Sequence, residues 1–171
     1  MTIKEFKNKV LPIKNKLYRL AFRLMNSQAD AEDVVQEVFL KLWSKKEKLK
    51  EYRSIEAFAM VMTKNLCFDK LKLKSRNQQE LNEDKIELNS KNPETHLEMK
   101  DTVSKIHEII QELPEQQKLV IQLRDIEQCD FDEIAEITDM NLNTIRVTLS
   151  RARKKVRDTL LKLQNYEFSS N

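Results

Sequence analysis

Apolar residues recur at helical spacing in the N-terminal part of the chain. Ser27 has the form of an N-cap, because its hydroxyl can accept a hydrogen bond from the first turn of a following helix. Apolar positions then follow at spacings of three and one: Ala31, Val34, Val35, Val38, Phe39, Leu42 and Trp43. This stripe predicts an amphipathic helix. Leu40 lies off the stripe, and periodicity leaves it open between a scattered surface leucine and a contact with a partner.

A further helix is predicted after Ser54, whose hydroxyl can cap it. Its apolar positions are Phe58, Met62, Leu66 and Leu71. Its C-terminal part carries five basic residues against Asp69, namely Lys64, Lys70, Lys72, Lys74 and Arg76. Basic residues near a helix C-terminus favour the helix dipole, and so dense a run can also follow nucleic-acid phosphates. The pattern leaves both interpretations open.

Residues 77–101 break the periodic pattern with a polar stretch that holds seven acidic residues against three basic ones. Such a composition buries too little apolar surface to fold as a unit of its own. It therefore predicts a flexible acidic linker between two helical domains. The predicted bounds are 1–76 for the first domain, 77–100 for the linker and 101–168 for the second domain.

The second domain contains a helix-turn-helix pattern from Asp130 to Arg157. Asp130 and Glu133 have the spacing of a capping box before a short helix. Residues 139–141 form the predicted turn, and Asn141 can cap the next helix. The predicted inward positions are Phe131, Ile134, Ala135, Ile137, Leu142, Ile145 and Leu149.

The outward face of the last helix has the composition of a DNA-recognition helix. It presents Asn143, Thr144, Arg146, Val147, Ser150, Arg151 and Lys154. From Arg146 to Arg157 there are six basic residues and no acidic one. Short side chains let a helix approach base edges, and arginines bond guanine and phosphates. A merely solvated cationic helix would explain the charge, but not the short capped helix and the tight turn before it.

Composition favours helices throughout. The 171 residues include no glycine and three prolines, whereas hairpins and phosphate loops need residues with positive φ. We therefore predict an all-α fold of two small helical domains. The net charge is only +3 although 35% of residues are charged, so local asymmetry matters more than the total. No apolar run reaches membrane-span length and no signal-peptide core is present, so we expect no membrane insertion and a cytoplasmic location.

Nothing in the sequence indicates catalysis. Cys67 and Cys129 are far apart and are interpreted as packing residues, because a disulfide is disfavoured in a reducing cytosol. His96 and His107 lie 11 residues apart without a nearby cysteine pair, which argues against a metal site. No serine, tyrosine or carboxylate set has the arrangement of an active site. We expect no enzyme activity, no cofactor and no metal.

Four motifs in collinear order resemble the extracytoplasmic-function (ECF) group of bacterial RNA polymerase sigma factors. Residues 30–43 (DAEDVVQEVFLKLW) and 57–71 resemble two successive segments of the family's region 2. Residues 113–117 (LPEQQ) and 131–137 (FDEIAEI) resemble region 4, and residues 144–157 continue it. The resemblance covers nearly the whole chain.

The resemblance implies a factor that binds core RNA polymerase and directs it to promoters by reading the −10 and −35 elements. It assigns contacts with the polymerase β′ clamp helices to Asp33, Gln36, Glu37 and Leu40. It assigns the −10 element to Lys64, Asn65 and Asp69, and the −35 element to the outward face of the last helix. The polymerase β flap and, for many members of the family, an anti-sigma factor are further implied partners.

Three positions depart from the family pattern. Phe58 stands where tryptophan is frequent, Asp139 where glycine is frequent and Thr148 where arginine is frequent. Aspartate tolerates left-handed backbone, so the turn is still expected to form. Thr148 removes one expected backbone contact and leaves the promoter details open.

The alternative function is a one-component helix-turn-helix regulator whose N-terminal domain dimerises or binds a signal. It predicts duplex binding without polymerase, whereas a sigma factor needs core enzyme for specific initiation.

Overall fold

The computed structural model of the chain describes residues 1–81 and 98–170. These residues form eight α-helices: α1 (Ile3–Val10), α2 (Lys14–Met25), α3 (Gln28–Ser44), α4 (Ile55–Leu81), α5 (Glu98–Gln111), α6 (Glu115–Ile121), α7 (Phe131–Thr138) and α8 (Leu142–Ser169). Short 3-10 turns lie at Leu11–Ile13 and Lys48–Glu51, and a π turn lies at Gln122–Ile126. The predicted all-α fold is confirmed. Within the described ranges, no helix combines the length and the apolar character needed to cross a membrane.

Helices α1 to α4 pack around the core of the first domain. The predicted stripe of α3 faces this core: Ala31, Val34, Val35, Val38 and Leu42 are buried, and Phe39 and Trp43 are half-buried. Both predicted caps are present, since Ser27 accepts from the Asp30 amide at 3.3 Å and Ser54 from the Ala57 amide at 3.1 Å. A cap of this kind stabilises a helix by about 1 kcal/mol.

Helices α5 to α8 form the second domain. Its buried side chains include Leu113, Val120, Leu123, Ile134, Ile137, Ile145, Leu149 and Ala152. Three residues predicted to face inward are less enclosed: Phe131 and Ala135 are half-buried, and Leu142 is exposed. Phe131 and Leu142 are the first residues of their helices, where fewer neighbouring turns cover a side chain.

The helices extend into both ends of the segment that is predicted to be a linker. α4 continues past residue 76 to Leu81, and α5 begins at Glu98. Residues 77–81 (NQQEL) contain no proline or glycine, and Gln, Glu and Leu are good helix formers, so the helix propagates. The remaining linker residues, 82–97, lie outside the described residues, and the prediction for them is untested.

The two domains pack against each other in the structure. α4 lies against α7, and α2 lies against α6 and the π turn. The buried side chains of both domains form one connected apolar cluster.

Candidate functional site

The helix-turn-helix has the local bonds that the sequence predicts. The Asp130 carboxylate accepts from the Glu133 amide, and the Glu133 carboxylate accepts from the Asp130 amide, both at 2.8 Å. Asp139 ends α7 in left-handed backbone, at φ 58° and ψ 27°. Asn141 then accepts from the Thr144 amide at 2.8 Å and starts α8. These bonds satisfy free backbone groups at the helix ends and so define where each helix begins and ends.

All seven residues assigned to the outward face of α8 are exposed. Val147, the apolar member, is 43% exposed. Arg146, Ser150 and Lys154 line an open groove of about 370 Å³ with Phe131, Leu149, Arg153 and Arg157. Four of the lining residues are basic and none is acidic, so the groove presents cationic side chains of the kind that bind a phosphate backbone.

Two arginines surround the ring of Phe131, and sequence reasoning missed this cluster. The guanidinium carbon of Arg124 lies 4.8 Å from the ring centroid, and that of Arg146 lies 5.6 Å from it. Arg153 is held differently, because its Nε and Nη2 donate to the two carboxylate oxygens of Asp125 at 2.9 and 2.5 Å. A helical pattern alone gives no signal for either contact, since each joins α8 to a residue outside that helix: Phe131 at the start of α7 and Asp125 in the π turn before it.

The structure places three of the four polymerase-assigned residues on an exposed surface of α3. Asp33, Gln36 and Leu40 are exposed, and Leu40 is 70% exposed. Residues three and four apart lie on one helical face, so the three side chains are neighbours. Glu37 is half-buried, 3.0 Å from Lys41 and 3.6 Å from Lys70. The Lys41 bond is the main cause that lowers the pKa of Glu37.

The −10-assigned residues divide between two faces of α4. Asn65 and Asp69 are exposed and lie one turn apart. Lys64 is half-buried and lines a cavity of about 160 Å³, together with residues of α6 and the helix-turn-helix that include Leu119 and Met140. Burial lowers the pKa of Lys64, and the nearby Asp139 carboxylate opposes that shift. The structure thus groups Asn65 with Asp69 and turns Lys64 toward the second domain.

A stacked aromatic pair joins the turn before α4 to α4 itself, and sequence reasoning missed it. Tyr52 stacks on Phe58 with ring centroids 4.0 Å apart and an interplanar angle of 19°. Lys45 Nζ lies 5.9 Å from the Phe58 centroid, and Tyr52 is 40% exposed. Exposed aromatics beside cations form stacking platforms for unpaired bases. The available signal was an aromatic residue in a segment, 45–53, that is rich in lysine.

A buried arginine joins the two domains, and it was also missed. Arg23 is 8% exposed, and its Nε donates to Gln122 Oε1 at 2.9 Å. Its Nη1 donates to the His107 carbonyl oxygen at 3.0 Å, and its Nη2 lies 2.5 Å from His107 Nδ1. Gln111 Nε2 returns a bond to the Arg23 carbonyl oxygen at 3.0 Å. The available signal was a charged residue among the buried apolar positions of α2.

An ion pair at the domain interface encloses a carboxylate. Arg19 Nε and Nη2 donate to the two oxygens of Glu127 at 2.8 and 2.7 Å. The Glu127 side chain is fully buried, and Gln122 Nε2 also donates to it at 3.2 Å. A buried carboxylate needs such partners, because leaving it unpaired away from water is costly.

Both cysteines are free and buried, as expected of packing residues. Burial raises the pKa of Cys67 to about 12 and that of Cys129 to about 11. Neither thiol has the lowered pKa that a reactive cysteine needs. Among the described residues, no three His, Cys, Asp or Glu side chains are grouped so that they could hold a metal ion.

Comparison with known proteins shows the family of the chain. Residues 11–77 match the family model of sigma-70 region 2, and residues 104–156 match that of sigma-70 region 4. The chain is 37% identical over 149 residues to RNA polymerase sigma factor SigV of Bacillus subtilis, a match that covers 87% of each protein. It is 28% identical over 153 residues to ECF RNA polymerase sigma factor SigE of Mycolicibacterium smegmatis, covering 86% of this chain and 58% of that relative.

The fold also resembles a solved structure. It is the sigma factor RpoE of Bartonella quintana, crystallised in complex with the anti-sigma factor NepR. The TM-score is 0.78 at 23% identity, covering 94% of this chain and 98% of the other. The chain therefore belongs to the ECF group of RNA polymerase sigma factors, which are not enzymes but polymerase-associated promoter-specificity factors.

Proposed function

We propose that this chain binds core RNA polymerase through the exposed face of α3 and reads promoter DNA with one site on each domain. The observation that carries the proposal is the cationic face of α8, presented behind a capped helix-turn-helix. A polymerase-docking face and a duplex-reading face in one chain give a two-part promoter reader. Its place of work would be the cytoplasm, where polymerase and chromosome lie.

The α8 face is suited to the −35 duplex. Its N-terminal residues Asn143 and Val147 have short side chains that let the helix enter the major groove. Arg146 and Arg151 can donate to guanine, and Lys154 can contact phosphates. The positive groove would attract the duplex and orient it before any base is contacted.

The first domain is suited to unpaired bases of the −10 element. The Asn65 amide can donate and accept hydrogen bonds at base edges, and the Asp69 carboxylate can accept them. The Tyr52–Phe58 pair can stack a base that has left the duplex, and Lys45 can bond its phosphate. Stacking of this kind contributes about 1–3 kcal/mol per base, which offsets the cost of unstacking.

Leu40 and its neighbours are suited to the β′ clamp helices of the polymerase. A leucine that is 70% exposed among polar side chains can fill a pocket on a partner helix. The second domain would in turn contact the β flap. An anti-sigma factor is a further proposed partner, because the structural relative from Bartonella quintana was crystallised with one.

The packing of the two domains limits the access of DNA to part of the first domain. Lys64 lies against the helix-turn-helix domain in this arrangement, so the first domain cannot present all of its assigned −10 residues at once. We propose that the domains separate when the chain binds polymerase. The free chain should accordingly bind promoter DNA weakly.

Run-off transcription with purified core polymerase tests the proposed function. The template is a promoter library whose −35 and −10 regions are randomised, and active sequences are recovered from the transcripts. We expect specific transcripts only when chain and core are both present. Specific duplex binding by the chain alone, without stimulated transcription, would instead favour the one-component regulator.

A matched pair of arginine variants tests the −35 face. Arg151→Ala should weaken promoter binding by the holoenzyme by about 1–3 kcal/mol, because an exposed arginine free to donate to a base is lost. Arg153→Ala should lose less, because the Nε and Nη2 donors of Arg153 are already bonded to Asp125. Equal losses, measured by fluorescence anisotropy on a recovered promoter, would contradict this orientation of α8.

A further inference from the structure

We infer that Phe131, the first residue of α7, is a positioning residue that orients Arg146 on α8 for contact with a base. The inference rests on the proposed function, since it concerns how the same helix-turn-helix reads the −35 duplex. It assigns a role to a side chain that apolar periodicity places simply in the core.

The geometry around the ring carries the inference. Arg146 and Arg124 both lie within the distance of about 6 Å at which an aromatic ring attracts a cation. Arg124 is tied down further, because its Nη1 donates to the Cys129 carbonyl oxygen at 2.9 Å. Among the described residues, Arg146 has no carboxylate within salt-bridge distance. Of the contacts described for its guanidinium, the ring of Phe131 is the one that can fix its direction.

The way in which an arginine is held decides whether it can still donate. A ring attracts the guanidinium through electrostatics with its π face and uses none of its N–H groups. Arg146 therefore keeps the fork of donors that bonds guanine O6 and N7. Arg153, on the same helix, has Nε and Nη2 occupied by Asp125. The two contacts give one arginine that is oriented with its donors free and one that is oriented with its Nε and Nη2 donors occupied.

Orientation before binding has a consequence for affinity. A flexible exposed side chain loses rotamer freedom when it contacts a base, and this loss weakens binding. A ring that already restricts Arg146 reduces the loss. Removing the attraction of the ring should therefore weaken promoter binding about two- to fivefold, through Arg146.

Fluorinated phenylalanines at position 131 provide a test that preserves the shape of the ring. Progressive fluorination weakens the attraction for cations while the packing is nearly unchanged. The probe is a promoter fragment recovered with the wild-type holoenzyme, and the readout is its dissociation constant. We expect affinity to fall with each added fluorine in the wild-type background and to stay constant in the Arg146→Ala background. The same dependence in both backgrounds, or none in either, would overturn the inference.

Substitutions by ordinary amino acids give a second test, in the form of a double-mutant cycle. The effects of Phe131→Leu and Arg146→Ala on promoter affinity should be strongly non-additive. Phe131→Tyr keeps an aromatic ring, so its coupling with Arg146 should equal that of the wild type. Lys154→Ala is the matched control, because Lys154 lines the same groove and is not among the cations over the ring. Its effect should add to that of Phe131→Leu. Thermal unfolding of each variant separates a general loss of packing from loss of orientation.

The outcomes separate this inference from the proposed function. If Arg146→Ala weakens binding but its effect is additive with that of Phe131→Leu, the role of Phe131 is overturned and the −35 face stands. If Arg146→Ala leaves affinity and base preference unchanged, the assignment of the α8 face fails, and the role of Phe131 fails with it.

Discussion

The neighbours of each arginine in this chain decide which of its N–H donors stay available, and three arginines give three different cases. Arg23 is buried, and its donors are used to join two domains. Arg153 is exposed but has two donors occupied by Asp125. Arg146 is exposed and oriented by a ring that uses no donor. A basic residue in the sequence is thus only a candidate for DNA contact. Whether it can donate to DNA depends on which of its donors are already bonded within the protein.

Leu40→Ser should weaken binding to core polymerase by at least severalfold, because an exposed leucine at a protein interface contributes buried apolar area. The thermal unfolding midpoint should stay the same, since little of this side chain is buried in the free chain. Surface plasmon resonance with immobilised core enzyme measures the binding. Leu73→Ser is the matched control, because Leu73 is 57% exposed on α4. Equal loss for both variants would contradict the α3 docking face.

Short-range bonds define the elements of the helix-turn-helix. The capping box at Asp130, the left-handed Asp139 and the cap at Asn141 all join residues no more than four apart. The π turn at Gln122–Ile126 has a different origin. Its backbone is widened, with the Glu127 amide bonded to the Gln122 carbonyl. Three side chains of this turn make long-range contacts: Gln122 bonds to Arg23 of the first domain, Arg124 lies over the ring of Phe131, and Asp125 pairs with Arg153.

Asn141→Ala should destabilise the chain by about 1 kcal/mol, because the Thr144 amide loses its bond to the cap. Urea unfolding followed by circular dichroism measures the change. Asn165→Ala is the control within the same helix, because Asn165 is exposed and lies far from the N-cap at Asn141. It should leave stability unchanged or raise it slightly, since alanine is the better helix former. A cap variant as stable as the control would contradict the capping role.

Contacts between distant parts of the chain hold the two domains together. The bond from Arg23 to Gln122 joins residues 99 positions apart, and that from Arg19 to Glu127 joins residues 108 apart. The same packing turns Lys64 toward the second domain. The molecule therefore couples the arrangement of its domains to the accessibility of part of its proposed DNA-binding surface.

Domain packing should loosen as the pH falls. Burial, and then the charge of Arg23, lower the pKa of His107 below its ordinary value. A lowered pKa means that the packed arrangement favours the neutral ring, whose Nδ1 can accept from Arg23. This stabilisation is present above the ordinary pKa of histidine, about 6.5, and is lost as the pH falls through the lowered value.

Small-angle X-ray scattering measures this effect. We expect the radius of gyration to increase between about pH 8 and about pH 5.5, the range in which histidine titrates. His107→Gln should abolish the pH dependence that comes from this ring. Arg23→Ala should expand the chain at both values, since Gln122 and the His107 carbonyl lose their donor. A wild-type radius that stays constant would contradict a role for His107 in domain packing.

Local interactions made much of the structure predictable from sequence. The α3 stripe, the caps at Ser27, Ser54 and Asn141, and the Asp139 turn were all predicted, because each depends on residues within about two helical turns. The helices extend into both ends of the predicted linker, since helix propensity carries α4 to Leu81 and α5 begins at Glu98. The motifs of regions 2 and 4 were likewise contiguous in sequence, so the family could be predicted before the fold was seen.

The sequence by itself thus determined the helices, the helix-turn-helix and the family, since a hydrogen bond to a neighbouring amide or a repeat of apolar positions is encoded within a few residues. Only the tertiary structure decided which donors remain free on α8, where Lys64 points and how the domains meet. Those features depend on Phe131, Asp125 and Arg23 meeting partners from other helices. The spacing of residues along the sequence does not predict these contacts, because they depend on how whole helices pack against one another.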